Sequence, residues 1–415
     1  MKQIKALKFK NEHGVSALLI TLLLPLLFGF IAFGIDVGHL LVVRNELHRA
    51  ADAGALAGAQ FLLNDDGTAI NEGCNQIAED TAIANMSEKQ AVEVEDGDVQ
   101  RGHWSFATRT FTPNNSTVMV PIWGVSFEEL DVNPDFINAV RVETWRGKEG
   151  LTGALKAASF FVRVFNPDFA GFTVRKHAVA YLGFAGTLNP GEADAPLGIC
   201  ESAITEIIDG KKVYSCSVGT LIPATTDTGL WTNFSQDPCS TANPPSTEAC
   251  KGNPGQLLYG DGTGTTEGFA KPIYEGVKNC WSKATGMVEP WQITLPVFDC
   301  SEGVPNCRPL VGAVKVNIMW MTGWGEDPHY NNVPTQMDGG ETGYPSWTTD
   351  PAKTGEQNWN DFADNFHLKD YDKITRAKYE KKTVYFLPDC NPHEPTGVTG
   401  GDNFGIRAKI PVLVE

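Results

Sequence analysis

The sequence predicts an α+β protein in which a long N-terminal transmembrane helix continues into a helix-plus-sheet unit and a β-rich, disulfide-tied region follows. Three observations carry that expectation. Residues Gly14 to Ile35 form a run of 22 without a charged side chain. Past about residue 95 the apolar period changes from that of a helix to the alternation of a strand. Eight of the nine cysteines lie between Cys200 and Cys390.

The apolar run exceeds the ~20 residues that cross a bilayer as a helix. Before it stand Lys2, Lys5, Lys8 and Lys10 against Glu12 alone, and after it Asp36. That leader is +3, so the rest of the chain carries −20 of the net −17. The bias orients the N-terminus toward the cytoplasm. Pro25 falls inside the run, where membrane helices tolerate it. A cleaved signal peptide is the alternative, with Ala32-Phe33-Gly34 imitating its cleavage site. The run is longer than the usual signal core of ~7–15 residues, which favours an anchor.

Beyond Asp36 the helical pattern continues without proline to Asn64-Asp65-Asp66-Gly67, a stop. Leu40, Val43, Leu47, Ala50, Gly54, Ala57 and Phe61 recur at helical spacing. Ala50, Gly54 and Gly58 make one small-residue stripe, and Ala51, Ala55 and Ala59 another. Such stripes let a second backbone approach closely. The partner is either another helix, a second copy of this chain included, or the chain's own sheet. A second helix is expected around 69–89, with Cys74 on its apolar stripe.

These residues carry a resemblance. Gly14 to Gln60, with Asp36-Val37-Gly38 and then Ala50-Ala51-Asp52-Ala53-Gly54-Ala55-Leu56-Ala57-Gly58-Ala59, resembles the N-terminal module of TadG-like Flp (tight-adherence) pilus-assembly proteins. Asp36, Gly38 and Asp52 stand at the signature positions. A looser likeness is Asn138-Ala139-Val140-Arg141-Val142 followed by Ala178-Val179-Ala180. The resemblance implies a single-pass inner-membrane protein with a periplasmic body. It implies as partners the bilayer and other Tad/Flp or envelope proteins, a pilin-like helix-and-sheet shape, and no enzymatic activity. Prepilin-type processing favours Glu at the fifth mature position; cleavage after Gly14 would place Leu19 there, so none is expected. Some TadG-like proteins carry a von Willebrand A domain opened by Asp-x-Ser-x-Ser, which this sequence lacks.

In the body, Val140 and Val142 alternate with Arg141 and Glu143. Phe160 to Phe165 and Thr173 to Phe184 also read as strands. The expected organisation is a leader over 1–14, the transmembrane and continuing helix over 15–63, and a helix with an antiparallel sheet over 64–188. A Pro/Gly-rich linker over 189–196 and a β-rich domain over 197–415 complete it. Cys200, Cys216, Cys239, Cys250, Cys280, Cys300, Cys307 and Cys390 are disulfide candidates, since an extracytoplasmic body is oxidising and no Cys-x-x-Cys favours zinc. Their pairing stays open among 105 connectivities. Cys74 is either a buried thiol or a link between copies. Val314 to Trp320 and Ile406 to Val414 alternate as strands, the latter paired within a sheet, and 322–382 reads as a long loop-like insertion.

The chemistry-bearing motifs are weak. Asp227-Thr228-Gly229 lacks the second carboxylate triplet of an aspartic protease. Asp261 to Glu267 reads as a solvated turn or a calcium loop without the EF-hand pattern. Asp327, His329 and His367 have no metal-ligand spacing. There is no His-Glu-x-x-His, Gly-x-Ser-x-Gly or P-loop. No metal or cofactor is expected, and the acidic balance argues against nucleic acid. A binding class competes with the structural one: an adhesin or ligand-binding module presented by the membrane helix.

Overall fold

The computed structural model describes residues 13–216, 219–221, 228–240, 246–266, 271–303, 307–323 and 330–415. Helix α1 (His13–Gln60) is continuous through Pro25. At ~1.5 Å rise its 48 residues extend about 70 Å. Its character changes at Asp36. Up to Ile35 the large apolar side chains are exposed and the most apolar stretch is wholly unburied, long and apolar enough to cross a membrane. From Asp36 onward one face is buried: Asp36, Val43, Leu47, Ala50, Ala51, Gly54, Ala55, Gly58 and Ala59.

That face seats helix α2 (Cys74–Ile83) and a five-stranded antiparallel sheet. The sheet contains β1 (Val99–Ser105), β2 (Thr110–Pro113), β3 (Ala139–Arg146), β4 (Val174–Tyr181) and, from the far end of the chain, a short strand at Val412–Leu413. The order is Val412–Leu413, β4, β3, β1, β2. The small side chains decide how close the layers come. A Cβ on Gly58 would lie 2.7 Å from the Ala78 Cβ and 2.9 Å from the Val140 Cγ1; one on Gly54 would lie 2.8 Å from the Ala78 carbonyl oxygen. The small-residue stripes are therefore a packing interface whose partner is the chain's own α2 and sheet. Ala50, Ala51, Ala55 and Ala59 are covered with them and offer no free surface to a second copy.

After β4 the chain crosses through β5 (Phe184–Thr187) into an eight-stranded sheet. Its centre is β6 (Leu197–Cys200), β7 (Gly229–Thr232), β8 (Trp291–Phe298), β9 (Arg308–Met321) and β10 (Val384–Pro388). Only the β6–β8 pairing among these is parallel. Helices α3 (Lys271–Thr285) and α4 (Gly355–Asn365) bring Trp281, Trp359 and Phe362 into its core. The cysteines pair as Cys200–Cys300, Cys216–Cys390, Cys239–Cys307 and Cys250–Cys280, with Cα separations of 5.5 to 5.9 Å. Cys74 is a free, fully buried thiol, which leaves its sulfur inaccessible to another copy.

Several expectations change. The second helix is shorter than 69–89, ending where the Asn85 side-chain amide donates to the Thr81 carbonyl (2.8 Å). Phe160 to Phe165 is not a strand: Val162–Phe165 is one helical turn, because the preceding backbone is captured by Asp36. The 189–196 segment is no free tether. Ala193 and Ala195 are buried, and the Asp194 N–H donates to the Thr294 carbonyl at 3.0 Å. Of Ile406 to Val414 only Val412–Leu413 is a strand, and it lies at the edge of the first sheet, against β4. The supposed insertion 322–382 contains α4, opened by a Thr354/Gln357 capping box.

Candidate functional site: the Asp36 junction

Asp36 sits where α1 passes from fully exposed to half-covered. Its carboxylate accepts four bonds from one stretch of the body. The Ser159 hydroxyl donates to Oδ2 (2.7 Å), the Phe160 N–H to Oδ1 (2.6 Å), and the Phe161 and Val162 N–H groups to Oδ2 (2.9 and 3.4 Å). Those N–H groups open the helical turn 162–165, so the carboxylate acts as its cap from another element. Charge-assisted bonds of this kind are worth more than neutral ones, about 1.5–3 kcal/mol each.

One turn further along α1, His39 Nε2 meets Glu88 Oε1 at 2.7 Å. Glu88 belongs to a tight turn in which it and Lys89 both have positive φ (51° and 63°). Its backbone N–H donates to Glu46 on α1 (3.0 Å), while its carboxylate accepts the Ala158 N–H (3.3 Å) and lies 3.8 Å from Arg146 Nε. Arg146, almost fully buried, donates to the Ala91 and Gln90 carbonyls (both 3.2 Å). Deeper in, the Thr144 hydroxyl on β3 donates to the Leu47 carbonyl of α1 (2.9 Å). The junction is thus a row of polar contacts along one helix face, reaching residues 159–162, the Glu88 turn and β3. Such an arrangement can fix the body to the helix in one orientation.

The other signature positions lie elsewhere. Gly38 is exposed, and a Cβ there would meet nothing within 4 Å. Asp52 is about 24 Å from Asp36 along the helix and contacts His48 Nδ1 at 3.2 Å. The structure therefore unites Asp36 with residues the sequence did not single out (His39, Glu88, Arg146, Ser159) and separates it from Gly38 and Asp52.

Two family models match the chain: Tad, the TadE/G-like Flp pilus-assembly family, over residues 14–60, and Tad_C, the Tad-like Flp pilus-assembly family, over 57–180. Residues 14–180 are similar to Tad-type Flp pilus-assembly proteins, and this stretch is the Tad module of the chain. No curated protein and no solved structure matches the chain. The two matches meet near the end of α1 and run to the last residues of β4, so the Asp36 contact joins a Tad residue to a Tad_C segment. The disulfides all lie beyond both matches. The Tad module's sheet is nevertheless completed from outside them: Val412 and Leu413 pair with Tyr181 and Ala180. The region between is consequently tied to the module at both ends.

The remaining motif readings find little support among the described residues. No group of three or more His, Cys, Asp or Glu there could hold a metal. In the Asp261–Glu267 stretch, Thr263 and Thr265 are buried in short strands, and Glu267 lies outside the described residues. Asp227, Asp327 and His329 also lie outside them. His367 lines a groove of about 480 Å³ with Trp123, Tyr344, Lys369 and Lys373.

Proposed function

We propose that this chain is a membrane-anchored, non-enzymatic component of a Flp/Tad-type pilus-assembly or secretion system. The observation that carries the reading is that the Tad match begins at the apolar run of α1, whose exposed character ends at Asp36, where the body docks. Four lysines before the span orient the N-terminus to the cytoplasm, and four disulfides suit a body on the periplasmic side of the inner membrane. In this reading α1 and the Tad module hold the disulfide-tied region at a fixed height and orientation above the bilayer, where it contacts pilus or envelope proteins. Deleting the gene should abolish pilus assembly, export or attachment, with restoration by the full chain; normal assembly, export and attachment in the deletion strain would refute the proposal.

The groove between Trp123 and Tyr344 favours a second reading, in which the body is an adhesin or ligand-binding module presented by the same anchor. Digestion of the body by protease added to intact cells would favour it, and protection with recovery in the inner-membrane fraction favours the first.

A further inference from the structure

We infer that residues 155–165 form a second membrane contact, an aromatic foot that enters the bilayer interface beside α1. This rests on the reading of Gly14–Ile35 as a membrane span. Three independent observations place the foot there. First, the Phe161 ring packs on the span itself: a Cβ built on Gly29 would lie 3.9 Å from it, and its centroid is 6.5 Å from that of Phe33 in an edge-on arrangement. Gly29 is seven residues before Asp36, so the ring reaches about 10 Å down the helix from the point where its own backbone is held. Second, Leu155, Phe160 and Val164 project from this stretch with 53%, 57% and 73% of their surface exposed. What sets these side chains apart is their place: beside an apolar span they are continuous with the surface that lipid already covers. Third, Lys156 and Arg163 are exposed within the same stretch, the former with its stem on Gly147 and the latter with Nε donating to the Phe169 carbonyl (3.2 Å), where their charges can reach headgroup phosphates.

The Asp36 cradle makes this arrangement affordable at the membrane boundary. The N–H groups of Phe160 and Phe161 would be unsatisfied in the interface, and the carboxylate would be an unpaired charge; each satisfies the other. The body would then meet the membrane at two places, the helix and the foot, which fixes its tilt as well as its height.

The test uses the full chain in phosphatidylcholine–phosphatidylglycerol vesicles with an environment-sensitive thiol probe at one introduced cysteine at a time: Val164→Cys, Leu27→Cys in the span, and Val132→Cys, which is 67% exposed and lies on the body. Cys74 is buried and its thiol pKa is raised by burial, so it competes poorly for the label. With lipids carrying a quencher near the top of the acyl chain, the Val164 probe should lose emission several-fold more than the Val132 probe and be blue-shifted relative to it. Quenching at Leu27 with Val164 no different from Val132 would overturn the foot while leaving the span intact. Absence of quenching at Leu27 as well would overturn the span and the foot together.

Discussion

In the Tad module, layers meet through small side chains: Ala50, Gly54 and Gly58 of α1 against Ala78 and Ala82 of α2 and Val140 and Val142 of β3. In the disulfide-tied region they meet through large ones, with Trp231, Trp281, Trp359, Tyr274 and Phe362 fully buried. The module contains no disulfide and one buried thiol; the second region has four bridges closing separations of 30 to 174 residues. The difference follows from architecture. A long helix gives the module a continuous seat, and close approach along it supplies dense contact. The second region is assembled from strands separated by long irregular connections, and cross-links that span them remove entropy from the unfolded chain. One region is fixed by fit and the other by covalent ties.

That contrast can be broken from either side. The largest effect is expected from Cys200→Ser with Cys300→Ser, which removes a bridge closing 100 residues; the loss should be on the order of 2–5 kcal/mol. Hydrogen exchange should show lost protection in β6 and β8 with α1 to β4 retained. Next is Asp36→Ala, which strips the Ser159 hydroxyl and the Phe160 and Phe161 N–H groups of their acceptor, while the Val162 N–H keeps Ser159 Oγ (3.1 Å), and should undock residues 159–165 at about 3 kcal/mol; faster exchange at Phe160 and Phe161 would report it. Gly58→Ala gains about 1 kcal/mol of helix propensity but puts a methyl 2.7 Å from the Ala78 Cβ. Overpacking costs about 1–3 kcal/mol, so a net loss of about 1 kcal/mol is expected in urea unfolding of the solubilised chain. Smallest is Thr144→Val, which removes the bond to the Leu47 carbonyl and should cost about 1 kcal/mol or less by the same measurement.

The parts legible in the sequence are those specified locally. The apolar run, the helix that continues from it (to Gln60, three residues short of the expected 63) and the membership of the disulfide set needed only composition and period. The pairing of the cysteines did not follow, because partners are set by the sheet that brings strands together. Phe160 to Phe165 misled for the same reason: its alternation is that of a strand, yet a carboxylate more than 120 residues earlier in the chain holds its backbone as a helical turn. Helices α3 and α4 left signals that local reading can find. Ile273, Val277 and Trp281 fall on one stripe, and Thr354 and Gln357 stand at capping-box spacing before Trp359. Asp36 was visible as a signature residue, but its partner Ser159 had no mark in the sequence.

The apolar stretch of α1 and the body should move as one unit, with Asp36 holding residues 159–162 against the helix next to the apolar run. Spin labels at Leu27→Cys and Val132→Cys in the full chain, reconstituted in a bilayer, test it by the distribution of distances between them. The expected result is a narrow distribution that broadens when Asp36→Ala is added while the four disulfides and the body's exchange protection remain. A broad distribution in the parent, or a narrow one that Asp36→Ala leaves unchanged, would contradict it.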